Sequence, residues 1–292
     1  MRQLKDFLEM KPFDANAYKS YLREIKVERF VISYILLKDN KILRTRINDE
    51  CMRYTKVKDI SYPPEDKART DRASLEGRPM FYGSIFTHQS SQVFLPRIIS
   101  LIETSAFFRD KESMGYQLIT QSVWGNNREL RLAMLPISSA YNMPSDEMMH
   151  MRKEQRNMLP KLGIENNEEA MYLGDLFARE NIYNTYSLTA NFVDYLLNES
   201  EERNYFDGVV YPSVPSEGLG MNICVRKELI DSGVVSCDGA CTEMLIKNKM
   251  QSKLSHLYDC SVLPNGDLSW RISEMLQQAI GSPLLFPDLL FL

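Results

Sequence analysis

The stretch "RASLEGRPMFYGS", residues 72–84, sets Arg72, Gly77, Pro79 and Tyr82 directly before a long apolar segment. Gly77 and Pro79 lie between Arg72 and Tyr82. The run "MFYGS" has the aromatic and small residues of a strand that ends in a turn. An arginine followed by a tyrosine at such a place is suited to binding an anionic ligand that carries a flat ring.

Downstream of this stretch, segments with strand-like patterns and segments with helical patterns are grouped into successive blocks. "SQVFLPRIISLIETSAFF" has apolar residues at helical spacing, and "GYQLITQSVWGNNRELRLAMLP" predicts a β-hairpin that turns at Gly125–Asn127. Ser145 and either Asn166 or Asn167 are predicted to cap the helices that follow. The runs "DGVVYPSV" and "SEGLGMNICVRKEL" come next. Strands, then helices, then strands indicate an α+β fold.

The segments upstream are less regular. Residues 1–40 are predicted to be largely helical, with Asp14 as the cap of a helix over "ANAYKSYLREI". "VISYILLKDNKILRTRIND" fits either a hairpin that turns at Asp39–Asn40 or a helix that runs into a strand. Residues 55–76 are polar and predict an irregular loop.

The bulk properties exclude several classes of protein. A chain of 292 residues with a net charge of −4 has no basic field for nucleic acid or an acidic membrane surface. Its apolar runs are too short to cross a bilayer, and its N-terminus lacks the apolar core of a signal peptide. Five cysteines, an odd number, argue against a disulfide scaffold and favour a reducing cytoplasm. We therefore expect a cytoplasmic protein without direct nucleic-acid or membrane binding.

Four residues have the chemistry of a site: Arg72, Tyr82, Glu103 and Ser213. Glu103 lies in a mostly apolar helix, where a carboxylate is rarely buried unless it is paired or used. The arginine pair of "LRTRIND", Arg44 and Arg46, adds a second cationic group, of which we favour Arg46.

Two motifs resemble the signatures of the RES-domain family. "RASLEGRPMFYGS" is similar to the first signature, and "FDGVVYPSVPSEGLGMNICV" to the closing one, in which Asp-Gly precedes Tyr-Pro-Ser, with a glycine and an asparagine further on. "LRTRIND" looks like the strand that opens the domain. The family is named for an arginine, a glutamate and a serine, which match Arg72, Glu103 and Ser213. Glu103 lies 21 positions beyond Tyr82, a longer gap than the family usually has.

The resemblance implies a fold and an activity. It implies an ADP-ribosyltransferase-like core, a mixed or antiparallel sheet with surrounding helices, over residues 41–230. Residues 1–40 would be a helical extension, and residues 231–292 a second extension that packs on the core. Family members are toxins that consume NAD and are usually neutralised by an antitoxin, which would cover the cleft of this protein.

The resemblance also implies roles for the site residues, and no metal. Arg72 and Arg46, with Arg44 beside them, would bind the pyrophosphate of NAD, and Glu103 would face the cationic sugar of the transition state. Tyr82 would offer a flat face to the nicotinamide or sugar. Ser213 would orient the ribose or the arginine.

Several alternatives remain open from the sequence. A protein side chain could replace water or phosphate as acceptor, which would make the protein an ADP-ribosyltransferase, or the fold could bind NAD without turnover. Hydrolysis by Ser213 is disfavoured because "YPSVP" lacks a Gly-x-Ser-x-Gly elbow. A different hypothesis is a structural zinc site, whose ligands come in close pairs. The residues with that spacing are Cys237, Cys241, His256 and Cys260.

Overall fold

A single ten-stranded sheet forms the centre of the molecule. The computed structural model describes residues 3–38, 40–48, 53–86, 95–137, 146–164, 167–249, 251–274 and 276–277. In these ranges the strand order is β1-β5-β6-β7-β3-β2-β4-β8-β9-β10, and every neighbouring pair is antiparallel except β5–β6. The strands are β1 Ile32–Leu36, β2 Lys41–Ile47, β3 Met80–Phe86, β4 Gly115–Asn126, β5 Leu130–Met134, β6 Gly208–Pro212, β7 Met221–Arg226, β8 Val235–Lys247, β9 Ser252–Val262 and β10 Leu268–Ile272.

The helices begin where capping residues were predicted, as far as the structure describes those positions. The Asp14 carboxylate accepts a hydrogen bond from the Ala17 amide at 2.9 Å, and the Asn167 side chain accepts one from the Ala170 amide at 2.9 Å. Ser145 and Asn166 lie outside the described residues. The α-helices are α1 Leu4–Leu8, α2 Ala15–Glu24, α3 Val57–Ile60, α4 Leu95–Thr104, α5 Ala106–Arg109, α6 Asp146–Leu162, α7 Glu168–Phe177, α8 Thr185–Asn198 and α9 Lys227–Asp231.

Two large apolar clusters lie on opposite faces of the sheet. On β7, Cys224 belongs to the cluster formed with α1, α2, α7 and α8, whereas Ile223 and Val225 belong to the other cluster. Alternate residues of a strand point to opposite faces, so both faces of β7 are buried. In the second cluster, Trp124 of β4 and Phe81 of β3 pack edge to face at 4.8 Å. These clusters fix β3 and β7, the two strands behind the candidate site.

The strands of the predicted hairpin form, but the hairpin itself is wrong, and neither alternative for the run that begins at "VISYILL" is correct. β4 and β5 follow each other in the chain, yet β4 pairs with β2 and β8 while β5 pairs with β1 and β6. The run that begins at "VISYILL" also forms two strands, β1 and β2, which do not pair with each other. Each strand pairs instead with other strands, because those pairings bury apolar residues on both faces of the sheet.

The two ends of the chain join the same sheet as its middle. Residues 1–40, predicted to be a helical extension, contain α1, α2 and also β1 at one edge. Residues 231–292, predicted to be an extension packed on the core, contribute β8, β9 and β10, and β8 pairs with β4 along its length.

The architecture is α+β with a mostly antiparallel sheet, as the sequence predicted. In the ranges that the structure covers, no helix combines the length and the apolar character needed to cross a bilayer.

Candidate active site

Five of the six predicted site residues line one cleft of about 950 Å³. They are Arg44 and Arg46 of β2, Arg72 in the loop before β3, Tyr82 of β3 and Glu103 in the last turn of α4. The sixth, Ser213, is fully buried directly behind Glu103. The volume falls in the range of small-molecule binding sites, about 300–1,000 Å³.

The loop 72–79 contains a turn before β3. Gly77 has a φ of +72°, a conformation that glycine adopts without steric cost, and Leu75 and Arg78 form an isolated β-bridge across the turn. The loop thereby returns to β3 and holds Arg72 above the strand that carries Tyr82.

Glu103 is held in one orientation by two donors. Its Oε1 accepts hydrogen bonds from Ser213 Oγ at 2.6 Å and from Asn222 Nδ2 at 2.5 Å. Asn222 Oδ1 in turn accepts from Ser84 Oγ at 2.8 Å, which fixes the amide so that its NH₂ faces the carboxylate. Ser84 and Asn222 are paired residues of β3 and β7, so the sheet register positions the glutamate. Ser213 was expected to orient the ribose or an arginine, but its hydroxyl donates to Glu103.

Burial raises the pKa of Glu103 above its ordinary value. The hydrogen bonds from Ser213 and Asn222, and the charges of Arg72 and Arg109, favour the ionised form and offset this effect only in part. Arg109 also donates to the Glu103 carbonyl at 3.0 Å at the end of α4. The carboxylate is therefore oriented and only incompletely solvated, which strengthens its interaction with a nearby cation.

Arg72 connects the loop to the end of α7. Its Nη1 donates to the carbonyls of Phe177 at 2.7 Å and Arg179 at 2.8 Å, and its Nη2 donates to the Tyr186 hydroxyl at 3.2 Å. The guanidinium also lies over the rings of Tyr186, at 5.0 Å, and Tyr211, at 5.8 Å. Arg72 is only 7% exposed. Three hydrogen bonds of its guanidinium are thus used for structure, while the residue still lines the cleft.

Arg44 and Arg46 share a face of β2 because they are two positions apart. Arg44 donates to the carbonyls of Ile60 at 3.2 Å and Tyr82 at 2.6 Å, and burial together with neighbouring Arg46 lowers its pKa to about 10. Arg46 lies 5.7 Å from the ring centre of Tyr54 and lines the cleft. Of the three predicted arginines, Arg46 is the best placed to reach a ligand phosphate.

Tyr82 divides its functions between ring and hydroxyl. The hydroxyl donates to Ser74 Oγ at 3.0 Å and accepts from the Ala73 amide at 3.1 Å, which ties the Arg72 loop to β3. Burial raises the pKa of Tyr82 well above its ordinary value, so the phenol is neutral. The side chain also lines the cleft, as expected for a residue that offers a flat face to a ligand.

Three contributors to the site were not predicted: Asn222, Tyr186 and Arg109. Asn222 is the asparagine of "GLGMNICV", and its role required knowledge of the β3–β7 register. Tyr186 and Arg109 lie in segments without a readable motif, and only the folded chain brings them to the cleft.

The wall of the cleft as a whole is mixed in charge: the described lining has five arginines and four carboxylates, among them Asp71, Glu180 and Glu217.

The zinc site predicted from the sequence spacing of cysteine and histidine does not fit the sheet. Cys237 and Cys260 pack against the apolar cluster that contains Trp124, whereas Cys241 and His256 lie on the other face with Glu243. One ion cannot contact all four residues, because the sheet separates the two pairs.

No protein-family model, curated protein or solved structure matches the chain. The likeness to the RES-domain family therefore depends on the two sequence motifs alone.

Proposed function

We propose that the protein cleaves the bond between nicotinamide and ribose in NAD. The observation that carries the proposal is Glu103, a carboxylate fixed by Ser213 and Asn222 at the wall of an arginine-lined cleft. Buried carboxylates with shifted pKa values in clefts are frequent at catalytic sites. The ADP-ribosyltransferase-like fold and the RES-domain motifs belong to the same proposal.

The chemistry follows from the charge that develops on the sugar. As the C–N bond breaks, its electron pair leaves with nicotinamide and the ribose becomes an oxocarbenium ion. Ionised Glu103 stabilises that cation more than it stabilises the neutral ribose of the ground state, which lowers the barrier. Water then adds to the sugar carbon and loses a proton to solvent, or phosphate adds in its place.

The remaining residues would bind and orient NAD. Arg46 would pair with the pyrophosphate, since guanidinium forks bind phosphates bidentately. The rings of Tyr82 and Tyr186 line the cleft beside Glu103 and would pack against the nicotinamide or the sugar. Arg72 would contribute positive charge and hold the loop. A toxin of this kind would have an antitoxin partner whose surface covers the cleft.

The test follows free nicotinamide after purified protein is mixed with NAD. Wild type should release it, and Glu103→Gln should be at least about 100-fold slower, because the charge facing the cation is gone. Glu112→Gln is the control, since Glu112 is exposed on the turn after α5. No release by wild type, or equal release by Glu103→Gln, would contradict the proposal.

The fate of the ADP-ribose distinguishes the alternatives. Free ADP-ribose or its phosphorylated form indicates NAD degradation, whereas label transferred from NAD to a protein indicates an ADP-ribosyltransferase. An increase in the melting temperature with NAD left intact would indicate a non-catalytic binder instead.

A further inference from the structure

A second cluster of reactive side chains lies outside the cleft, where β8 and β9 meet the start of α4. Cys241, Glu243 and His256 each place one donor atom within 4.8 Å of the other two. Cys241 and Glu243 alternate along β8 and so share a face, and His256 is the register partner of Glu243 on β9. None of the three lines the cleft that contains Glu103.

A β-bulge adds a fourth group to this face. The register between β8 and β9 shifts after Thr242, so that Asp259 pairs with Cys241 while His256 pairs with Glu243. An extra residue on one strand lets two side chains three positions apart point to the same side. Bulges of this kind often re-aim a side chain at a site.

Glu243 has an unsatisfied oxygen. The residue is only 4% exposed, and its Oε1 accepts a hydrogen bond from Arg97 Nη2 at 2.7 Å. Its Oε2 is inaccessible to solvent and has no hydrogen-bond partner among the described residues. A buried carboxylate oxygen without a donor is costly, so a positive ligand at this position would stabilise the fold.

His256 is oriented as metal-binding histidines are. Its Nε2 lies 2.9 Å from Asp259 Oδ1, and its Nδ1 lies 3.6 Å from Glu243 Oε1. When Nε2 donates its proton to Asp259, the lone pair of Nδ1 faces the Glu243 carboxylate, and two electron-rich atoms oppose each other. A carboxylate that holds the outer nitrogen of a histidine is the usual support of a metal ligand.

We propose that Cys241, Glu243 and His256 bind a divalent zinc ion. Sulfur, nitrogen and oxygen donors together suit zinc, and water can supply the fourth ligand because the His256 side chain is 29% exposed. Zinc bonds of about 2.0–2.3 Å place tetrahedral donors roughly 3.4–3.8 Å apart, so the side chains need to close by about 1 Å. This site differs from the zinc site predicted from sequence spacing, because Cys237 and Cys260 lie on the opposite face of the sheet.

The ion would bridge β8 and β9, in a network that also includes α4 and β4. Arg97 of α4 bonds both Glu243 of β8 and, through its Nε at 2.8 Å, Gln121 of β4. A zinc ion between Glu243 and His256 would extend this connection to β9. It would therefore act as a structural staple beneath the helix that carries Glu103.

The competing arrangement is a doubly protonated His256 that pairs with both carboxylates and needs no metal. The zinc site and this metal-free arrangement are distinguished by titrating the chelator-treated, full-length protein with Co²⁺. Cobalt substitutes for zinc and gives a thiolate-to-metal absorption band when cysteine is a ligand. Zinc bound to the untreated protein is counted by mass spectrometry of the metal content.

Wild type should show the band with one cobalt per chain. Cys241→Ser should lose it, and His256→Gln should weaken binding strongly. Cys260→Ser is the matched control, because it removes a thiol of the next register pair on the opposite face and should leave the band intact. The proposal is overturned if wild type gives no stoichiometric band, or if Cys241→Ser and Cys260→Ser behave alike. Far-UV circular dichroism of each variant verifies that it is folded.

Discussion

Glu103 is subject to opposing contributions to its ionisation. Burial favours the protonated form, while two hydrogen bonds and the charges of Arg72 and Arg109 favour the carboxylate, and the net pKa is raised. The folded chain therefore holds this proton to a higher pH than the unfolded chain does. Its contribution to stability declines as pH rises from the ordinary glutamate range through the raised pKa, so Glu103 stabilises the fold less at neutral pH than at acidic pH.

Replacement of Glu103 by glutamine should thus separate stability from activity. The amide of Glu103→Gln keeps an oxygen that accepts from Ser213 and Asn222 but carries no charge, so the melting temperature at neutral pH should equal or exceed that of wild type while turnover is lost. Thermal unfolding at pH 7 and pH 4 measures the effect, and the gain should shrink at the lower pH. A large drop in melting temperature at pH 7 would show that the ionised carboxylate stabilises the fold instead.

Ser213 offers a test through pH. Its hydroxyl favours ionised Glu103, so Ser213→Ala should raise the pKa of Glu103 further. Since the reaction needs the carboxylate, the acidic limb of the kcat profile should move to higher pH. The loss of activity relative to wild type should therefore be smaller at alkaline pH than at neutral pH. Ser216→Ala is the control, because the Ser216 hydroxyl donates to a main-chain carbonyl. An unshifted limb in Ser213→Ala would mean that another group controls the profile.

At the scale of elements, what could be predicted depends on how local its physical cause is. β3, α4, β6 and the Asp14 cap follow from periodicity and capping within a few residues, and sequence alone located them. The pairing of β4 with β8 joins residues more than a hundred positions apart. Turn chemistry at Gly125–Asn127 favoured a hairpin, but it was outweighed by partners that bury both faces of each strand.

The candidate site was likewise predictable only where the cause is local to the sequence. Arg72, Tyr82, Glu103 and Ser213 have residue types that are unusual for their places in the sequence, and the folded chain brings them together. Which of them touches a ligand could not be predicted. Hydrogen bonds to distant carbonyls, such as that of Phe177, decide that Arg72 is largely structural, while Arg46 faces the cleft.

At the scale of the whole molecule, the sheet is continuous from the first strand to the last. The elements that carry the candidate site occupy its middle, with β1 and β5 on one side and β8, β9 and β10 on the other. α1 and α2 close one apolar cluster, in which Phe7, Tyr18 and Leu22 are buried. A domain limited to residues 41–230 would lack both this cover and the strand beside β4.

A chain that ends at Asp231 tests this view of the molecule. It would expose β4, whose residues from Gly115 to Asn126 pair with β8, and an unpaired edge of that length is prone to aggregate. Leu245 of β8 also packs with Leu101 of α4 and Ile119 of β4, so the helix that carries Glu103 would lose part of its support. We expect the shortened chain to lose cooperative thermal unfolding and to aggregate, measured by circular dichroism and size-exclusion chromatography beside the full-length protein. Cooperative unfolding near the full-length melting temperature would instead mean that residues 1–231 form a self-sufficient unit to which β8, β9 and β10 are added.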